Sequence, residues 1–163
     1  MKQGKMEEEK KERKFFVIVH NIRSSYNVGS VFRSSDALGV DKIFLGGYSP
    51  NPGKNKAVCK TALGSEEYVP WEAVWHTHKL IEDLAGQGVK TVALEQSNSS
   101  VGLDDFMPSF PMALLLGNEV KGLSKKMLEY VDQVVEIPML GKKESLNVSV
   151  AFGIATHQIL LKK

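Results

Sequence analysis

Short apolar segments alternate with longer amphipathic ones along most of this chain. The apolar segments are residues 15–19, 42–45, 91–94, 112–116 and 134–137. Continuous apolar runs with β-branched residues are typical of strands that are buried on both faces of a parallel sheet. The pattern therefore predicts an α/β fold in which a mostly parallel sheet carries helices on both faces.

Four helices are predicted among these strands, from apolar residues at helical spacing and from residues that start or stop helices. The first ends at Gly39, and the second covers residues 76–87. The third covers residues 125–130 after an N-cap at Ser124, and the last runs over about residues 147–161. Helices are thus predicted between several of the strands and after the last one.

The last predicted helix is apolar on two sides. One apolar face consists of Val148, Ala151, Phe152, Ala155 and Ile159. The second apolar stripe consists of Val150, Ile154 and Leu161. A helix of this kind is either a deeply buried core helix or packs against two neighbours. Periodicity alone leaves both possibilities open.

Length and composition indicate one globular domain. The chain has 163 residues, of which 42% are hydrophobic, and we assign residues 15–163 to the domain and residues 1–14 to a charged extension. The single cysteine, Cys59, excludes an intramolecular disulfide. No apolar run is long enough for a membrane span, and the N-terminus lacks the apolar core of a signal peptide. We therefore expect a cytoplasmic protein without a membrane segment.

The net charge of +2 is carried by the N-terminal extension. Residues 1–14 contain six Lys or Arg and four Glu, whereas the rest of the chain is neutral. Nucleic-acid-binding domains often have a strong basic excess, which this domain lacks. Any surface that binds a polyanion must therefore be a local patch.

Polar or glycine-rich stretches follow four of the predicted strands. They cover residues 20–29, 95–100, 117–123 and 138–147. Ligands of open parallel sheets bind beyond the carboxyl ends of the strands, so we expect these stretches to cluster along one edge. Neither the G-x-G-x-x-G motif of dinucleotide-binding folds nor a phosphate-binding P-loop occurs. The spacing of the histidines predicts no metal site.

Three constellations of residues in these stretches are candidate catalytic or ligand-binding sites. The first is the segment NVGSVFR, with Asn27 as a candidate N-cap and Arg33 inside the helix. The second is LGNEVKGLS at residues 116–124, a turn that can present backbone amides and a carboxylate. The third is IPMLGKKESLNVS at residues 137–149, which places polar side chains at a helix N-terminus. Each also has an ordinary structural explanation, as a capped helix, a turn or a long loop.

In this order, the constellations resemble motifs 1, 2 and 3 of the SpoU/TrmH-type RNA ribose 2′-O-methyltransferases of the SPOUT superfamily. Motif 1 is matched by NVGSVFR, motif 2 by residues 116–124 and motif 3 by residues 137–154. The resemblance implies an α/β fold with a C-terminal trefoil knot, a feature that strand and helix patterns do not indicate. It also implies methyl transfer from S-adenosylmethionine to a ribose 2′-hydroxyl, without a metal ion.

The resemblance also assigns residues to the site. Cofactor contacts are implied for Leu94, Glu95, Gly117, Asn118, Ile137, Met139, Ser145 and Leu146. Catalytic roles are implied for Arg33, Asn27, Glu119, Ser145 and Asn147. Arg33 corresponds to the family's essential arginine. Because an arginine stays protonated under ordinary conditions, we favour phosphate positioning and charge stabilisation for Arg33 and keep a general-base role as a hypothesis.

RNA contacts are assigned to basic residues near the motif loops. They are Arg23, Arg33, Lys54, Lys56, Lys142 and Lys143, with Lys60 and Lys121 as further members. The resemblance implies a homodimer with the last helix in the interface and a partner that completes the RNA site. The chain looks like a minimal catalytic domain, for which tRNA is the first expected substrate and ribosomal RNA the second. A non-catalytic RNA- or cofactor-binding member and an α/β enzyme for another nucleotide are the alternatives.

Overall fold

Seven strands form one sheet in the computed structural model, which describes residues 13–162. The strands are β1 Phe15–His20, β2 Lys42–Gly46, β3 Trp71–Val74, β4 Lys90–Leu94, β5 Val101–Gly102, β6 Met112–Leu116 and β7 Gln133–Glu136. Their spatial order is β3-β2-β1-β6-β4-β7-β5, and each neighbouring pair is parallel. The parallel α/β architecture is confirmed, whereas the trefoil knot stays a prediction. Most of the predicted extension, residues 1–12, lies outside the described residues.

Within the described residues, five α-helices connect or follow the strands, and a short 3-10 helix covers Ser65–Glu67. The α-helices are α1 Ser25–Leu38, α2 Lys56–Ala62, α3 Thr77–Gly86, α4 Lys125–Leu128 and α5 Val148–Leu161. The four predicted helices are present, while α2, β3 and β5 were not predicted. β5 has only two residues, and β3 is an edge strand with exposed side chains, so neither has the apolar pattern of a central strand. No helix between residues 13 and 162 is long and apolar enough to cross a membrane.

Alternate residues of the central strands point into two separate apolar layers. In β1, Phe15, Val17 and Val19 pack on one face of the sheet, in the layer that α1, α2 and α5 also join. Ile18 packs on the opposite face, in the layer that contains Ile81 of α3. Because both faces are covered, the central strands are almost wholly apolar, which explains the continuous runs in the sequence.

Ser24, and not Asn27, caps the N-terminus of α1. The Ser24 Oγ accepts a hydrogen bond from the backbone N of Asn27 at 3.2 Å. The prediction of Asn27 as the N-cap is therefore wrong, because the helix already begins at Ser25 and Asn27 lies in its first turn. In this position the Asn27 side chain can contact other parts of the site.

Gly29 allows α1 and α2 to pack in direct contact. A Cβ atom at Gly29 would overlap both the Thr61 Oγ1 and the backbone O of Val58 in α2. A glycine in the first turns of a helix lets another group approach the backbone closely. That group is α2, so Gly29 serves helix packing and not the entry of a ligand.

One side of α5 is buried and the other is exposed. Phe152, Ala155 and Ile159 are 0% exposed. By contrast, Val150 and Ile154 of the second apolar stripe are 50% and 42% exposed. The interpretation of α5 as a wholly internal core helix is therefore wrong, because the chain covers only one of its two apolar sides.

Candidate functional site

A cavity of about 210 Å³ opens beyond the carboxyl ends of β4, β6 and β7. All eight residues for which cofactor contacts were predicted line it, namely Leu94, Glu95, Gly117, Asn118, Ile137, Met139, Ser145 and Leu146. Glu119 lines it as well. Since the strands are parallel, their carboxyl ends meet at one edge, and the polar stretches that follow them come together there.

The Glu119 carboxylate ties the second motif to the first. Its Oε2 accepts a hydrogen bond from the backbone N of Arg23 at 3.0 Å. Its Oε1 accepts from the backbone N of Ser24 at 2.9 Å and from the Asn27 Nδ2 at 3.2 Å. Burial alone raises the pKa of this carboxyl, but these hydrogen bonds outweigh burial, and the pKa lies below its ordinary value. Glu119 is therefore an ionised acceptor that holds the loop, and its low pKa makes it a weak base.

Asn27 extends this connection to the third motif. Its Oδ1 accepts a hydrogen bond from the Asn147 Nδ2 at 3.1 Å. Asn147 is the N-cap of α5, since its Oδ1 accepts from the backbone N of Ser149 at 2.9 Å and of Val150 at 3.3 Å. A hydrogen-bonded chain from Glu119 through Asn27 to Asn147 thus joins the three motifs.

The Glu95 carboxylate, at the end of β4, holds the turn after β6. Its Oε2 accepts a hydrogen bond from the backbone N of Leu123 at 2.9 Å. The adjacent Gly122 has a φ of +63°, a conformation that favours glycine. The next residue, Gln96, donates from its Nε2 to the backbone O of Glu144 at 2.6 Å. The end of β4 therefore fixes loops of both the second and the third motif.

Gly117 lets the turn at Gly122 and Leu123 pack directly against the end of β6, because no side chain fits at this position. A Cβ atom there would lie 2.7 Å from the Leu123 Cγ and 2.8 Å from the backbone C of Gly122. Both distances are too short for real contacts. Gly117 also lines the cavity, and since it has no side chain, a ligand there meets its backbone.

Asn118 is a buried residue that shapes the same turn, with 8% of its surface exposed. Its Nδ2 donates to the backbone O of Asn21 at 2.9 Å. Its Oδ1 accepts from the backbone N of Val120 and of Lys121, each at 2.9 Å. Asn118 thus links the loop after β1 to the turn after β6, in addition to lining the cavity.

The lining of the cavity is acidic. It includes Glu95, Glu119 and Glu136, and no Lys, Arg or His is among the described residues that line it. A ligand with phosphate groups would face these carboxylates without a cationic partner, whereas a cationic ligand would be attracted. Apolar side chains such as Leu94 and Ile137 complete the wall. The cavity therefore favours an organic cation over a nucleotide phosphate. No group of three or more His, Cys, Asp or Glu between residues 13 and 162 is placed to hold a metal ion.

Arg33 lies outside this cavity. It is exposed on α1, about 9 Å along the helix axis from Asn27. It lines an open groove between α1 and α2 whose polar residues are Ser30, Arg33, Ser34, Lys60 and Thr61. Two cationic side chains beside three hydroxyl groups are suited to bind phosphate oxygens. Within one chain, the structure thus does not bring Arg33 into the cavity.

The other basic residues predicted to contact RNA are exposed. They are Arg23, Lys54, Lys56, Lys121, Lys142 and Lys143. In the part of the chain that the structure describes, the only ion pair joins Lys42 and Glu72 at 2.7 Å. No carboxylate there neutralises any of these predicted RNA contacts.

Tyr48 belongs to the same edge of the sheet but was not predicted. Its Oη lies 3.2 Å from the Asn118 Nδ2, and the residue is 54% exposed. Tyr48 follows β2, whose carboxyl end reaches the same edge as those of the other strands. The rule that ligands bind beyond strand ends applies equally to β2 and could have identified Tyr48 from the sequence.

Over nearly its whole length, the chain is similar to known proteins. The sequence profile of the SpoU rRNA methylase family matches residues 14–157. YacO of Bacillus subtilis (strain 168), whose name assigns it to the TrmH family of tRNA/rRNA methyltransferases, is 31% identical over 165 residues, covering 98% of this chain and 63% of that protein. The tRNA (guanosine(18)-2′-O)-methyltransferase of Aquifex aeolicus (strain VF5) is 31% identical over 150 residues, covering 92% of this chain and 70% of that protein.

A solved structure has the same fold. The AdoMet-bound rRNA methyltransferase from Sinorhizobium meliloti matches with a TM-score of 0.83 at 29% sequence identity, covering 91% of this chain and 56% of that chain. The present chain thus spans less than two thirds of the length of the Bacillus and Sinorhizobium proteins. The α/β fold implied by the resemblance is thus confirmed.

Proposed function

The chain belongs to the SpoU rRNA methylase family, and on this premise we propose that it transfers a methyl group from S-adenosylmethionine to a ribose 2′-hydroxyl of RNA. The observation that carries the proposal is the acidic cavity at the carboxyl edge of the sheet, beside the hydrogen-bonded chain from Glu119 to Asn147. Two relatives support it, since the Sinorhizobium structure contains AdoMet and the Aquifex protein is a tRNA 2′-O-methyltransferase.

The residues of the cavity fit S-adenosylmethionine. When bound, this cofactor supplies a methyl group on a positively charged sulfur. Leu94, Ile137 and Leu146 offer an apolar surface to its adenosine part, and the backbone of Gly117 is accessible to its polar groups. The carboxylates, Glu95 among them, favour its positive charge. The same carboxylates argue against an enzyme that binds a nucleotide through its phosphates.

A ribose hydroxyl is a poor nucleophile near neutral pH and needs help to lose its proton. Glu119 is unsuited to this task because its pKa is lowered. Both ring nitrogens of His20 already have neighbours, with Nδ1 at 2.8 Å from the Thr77 Oγ1 and Nε2 at 3.2 Å from the Asn21 Nδ2. Burial also lowers the pKa of His20, so its ring stays neutral. The help therefore comes from positive charge that stabilises the developing oxyanion, and the proton passes to solvent water.

Arg33 is the source of that charge. With Lys60 it holds the phosphate next to the reacting ribose in the groove between α1 and α2. Because the groove lies apart from the cavity of the same chain, a homodimer completes the RNA site. A second copy covers the apolar stripe of α5, which is exposed in the single chain, as the family resemblance implies.

Replacing Ile154 with glutamate is expected to convert the dimer into a monomer. Ile154 is 42% exposed in the single chain, and a carboxylate there would be buried without a partner in the proposed interface. Sedimentation velocity measures the change, and circular dichroism checks the fold. Leu63→Glu is the matched control, because Leu63 is an apolar residue with 65% exposure outside α5. Equal sedimentation of a folded Ile154→Glu variant and the wild type would contradict the proposed interface.

Transfer RNA is the first substrate class and ribosomal RNA the second. The Aquifex relative, which acts on tRNA, aligns with 92% of this chain. A tRNA substrate also agrees with the cytoplasmic location expected from the sequence. A non-catalytic binding protein is disfavoured, because Arg33, Glu119, Ser145 and Asn147 are all present.

Incubation with labelled S-adenosylmethionine and separated tRNA and ribosomal RNA fractions tests the proposal. Label is expected in tRNA, within a dinucleotide that resists alkali, since a methylated 2′-oxygen cannot attack the adjacent phosphate. Label in a base would contradict ribose methylation. Label confined to ribosomal RNA would mean that ribosomal RNA, and not tRNA, is the substrate. Cofactor binding in calorimetry without label in any RNA would favour the non-catalytic protein.

A further inference from the structure

A second, open cavity lies directly beside the first. It is lined by Arg23, Tyr48, Pro50, Asn55, Asn118, Val120 and Lys121. The two cavities share Asn118 and Val120, so only the turn after β6 separates them. A group bound in the second cavity is therefore next to a ligand bound in the first.

Tyr48 is the aromatic residue of this second cavity, and hydrogen bonds fix its position. Its Oη accepts from the Asn118 Nδ2 at 3.2 Å, and its backbone N donates to the Asn21 Oδ1 at 3.2 Å. Asn118 is itself 8% exposed and bonded to the backbone of Asn21. The Tyr48 residue nevertheless remains 54% exposed. A held but exposed ring is prepared for stacking, because little conformational entropy is lost when a planar group packs against it.

Two cationic side chains flank this ring. Arg23 and Lys121 both line the cavity and are exposed. The backbone of Arg23 is fixed by the Glu119 carboxylate, and the backbone N of Lys121 by the Asn118 Oδ1 at 2.9 Å. The second cavity thus offers an aromatic face and positive charge, whereas the first has an acidic lining.

From this contrast we infer that the second cavity binds the target nucleotide of the RNA, with its base stacked on Tyr48 and one of its two flanking phosphates near Arg23 and Lys121. The other flanking phosphate is the one held by Arg33 and Lys60. The inference rests on the proposed methyl transfer and adds to it the subsite that holds the substrate base. Single-stranded loops are the RNA elements whose bases can turn outward onto an aromatic ring. A base on Tyr48 places its own ribose close to the turn that borders the cofactor cavity. The substrate is therefore an unpaired nucleotide of a loop.

Three variants distinguish stacking of an RNA base on Tyr48 from a structural role of Tyr48 through its bond to Asn118. Tyr48→Leu removes the aromatic ring, Tyr48→Phe keeps the ring and removes the bond to Asn118, and Tyr68→Leu is a control at a tyrosine with 75% exposure outside the cavity. Fluorescence anisotropy measures the affinity of each for a labelled tRNA transcript and, as a second probe, a ribosomal RNA fragment. Calorimetry measures the affinity for S-adenosylmethionine.

Tyr48→Leu is expected to weaken RNA binding by about tenfold or more, the effect of losing one stacked base. The cofactor affinity should stay unchanged, and Tyr48→Phe and Tyr68→Leu should bind RNA within about threefold of the wild type. Unchanged RNA affinity in Tyr48→Leu would overturn the inference. So would an equal loss in Tyr48→Phe, because the residue would then act through Asn118. A wild-type protein that binds RNA without methylating it would contradict the proposed function, yet the comparison of affinities would still decide the role of Tyr48.

Discussion

Replacing Arg33 with alanine is expected to lower the rate of methyl transfer by about a hundredfold or more, the range seen when one preorganised donor to a developing oxyanion is removed. Cofactor affinity should stay at the wild-type value, because Arg33 does not line the cavity. The fold should also persist, since Arg33 is an exposed residue. Single-turnover kinetics with saturating RNA, together with calorimetry for S-adenosylmethionine, measure the two quantities separately.

Two further variants define what Arg33 contributes. Arg33→Lys keeps the charge but loses the forked geometry, so partial activity is expected if charge is the main contribution. Complete loss in Arg33→Lys would instead point to bidentate recognition or to a role in proton transfer. Lys60→Ala is the control within the same groove, and its effect should fall mainly on the KM for RNA. Wild-type rates for Arg33→Ala would exclude Arg33 from the reaction.

Replacing Glu119 with alanine is expected to destabilise the protein by about 2 kcal/mol, because three hydrogen-bond donors lose their acceptor. Those donors are the backbone N atoms of Arg23 and Ser24 and the Asn27 Nδ2. Methyl transfer should fall with stability, since the same bonds hold the loop beside the cavity. Urea unfolding at neutral pH gives the difference in the free energy of unfolding.

The pH dependence of the Glu119 effect follows from its pKa, which lies below the ordinary value in the folded protein. A depressed carboxyl pKa stabilises the fold above the pKa of the unfolded chain, roughly 4.3, and this stabilisation is lost as the pH falls through the lower folded pKa. The difference in stability between the wild type and Glu119→Gln should therefore be largest near neutral pH and shrink below about pH 4. A difference that stays constant from pH 7 to pH 3 would mean that the charge of Glu119 contributes nothing.

The central strands could be predicted because burial on both faces of the sheet leaves only apolar residues in them. The edge strands could not, since β3 exposes its side chains and β5 has only two residues. The position of the cavity followed from the rule that ligands bind at strand ends. The individual residues predicted to contact the cofactor came from the resemblance, because polar residues at strand ends have no periodicity.

The cap of α1 shows why local sequence is insufficient. Ser24 and Asn27 are both good N-cap residues, and nothing in their neighbours distinguishes them. The backbone of Ser24 is fixed by Glu119, which is 95 residues away along the chain. With Ser24 held by Glu119 as the N-cap, Asn27 lies in the first turn of α1, where its side chain reaches Asn147.

The chain of hydrogen bonds from Glu119 through Asn27 to Asn147 has a consequence for folding. Its contacts join residues that are 92 and 120 positions apart in the sequence. Contacts of such long range require the loop-closure entropy of most of the chain to be overcome first. The cofactor site therefore cannot exist in a partly synthesised or locally folded chain, and the free energy of cofactor binding stabilises only the completed native state.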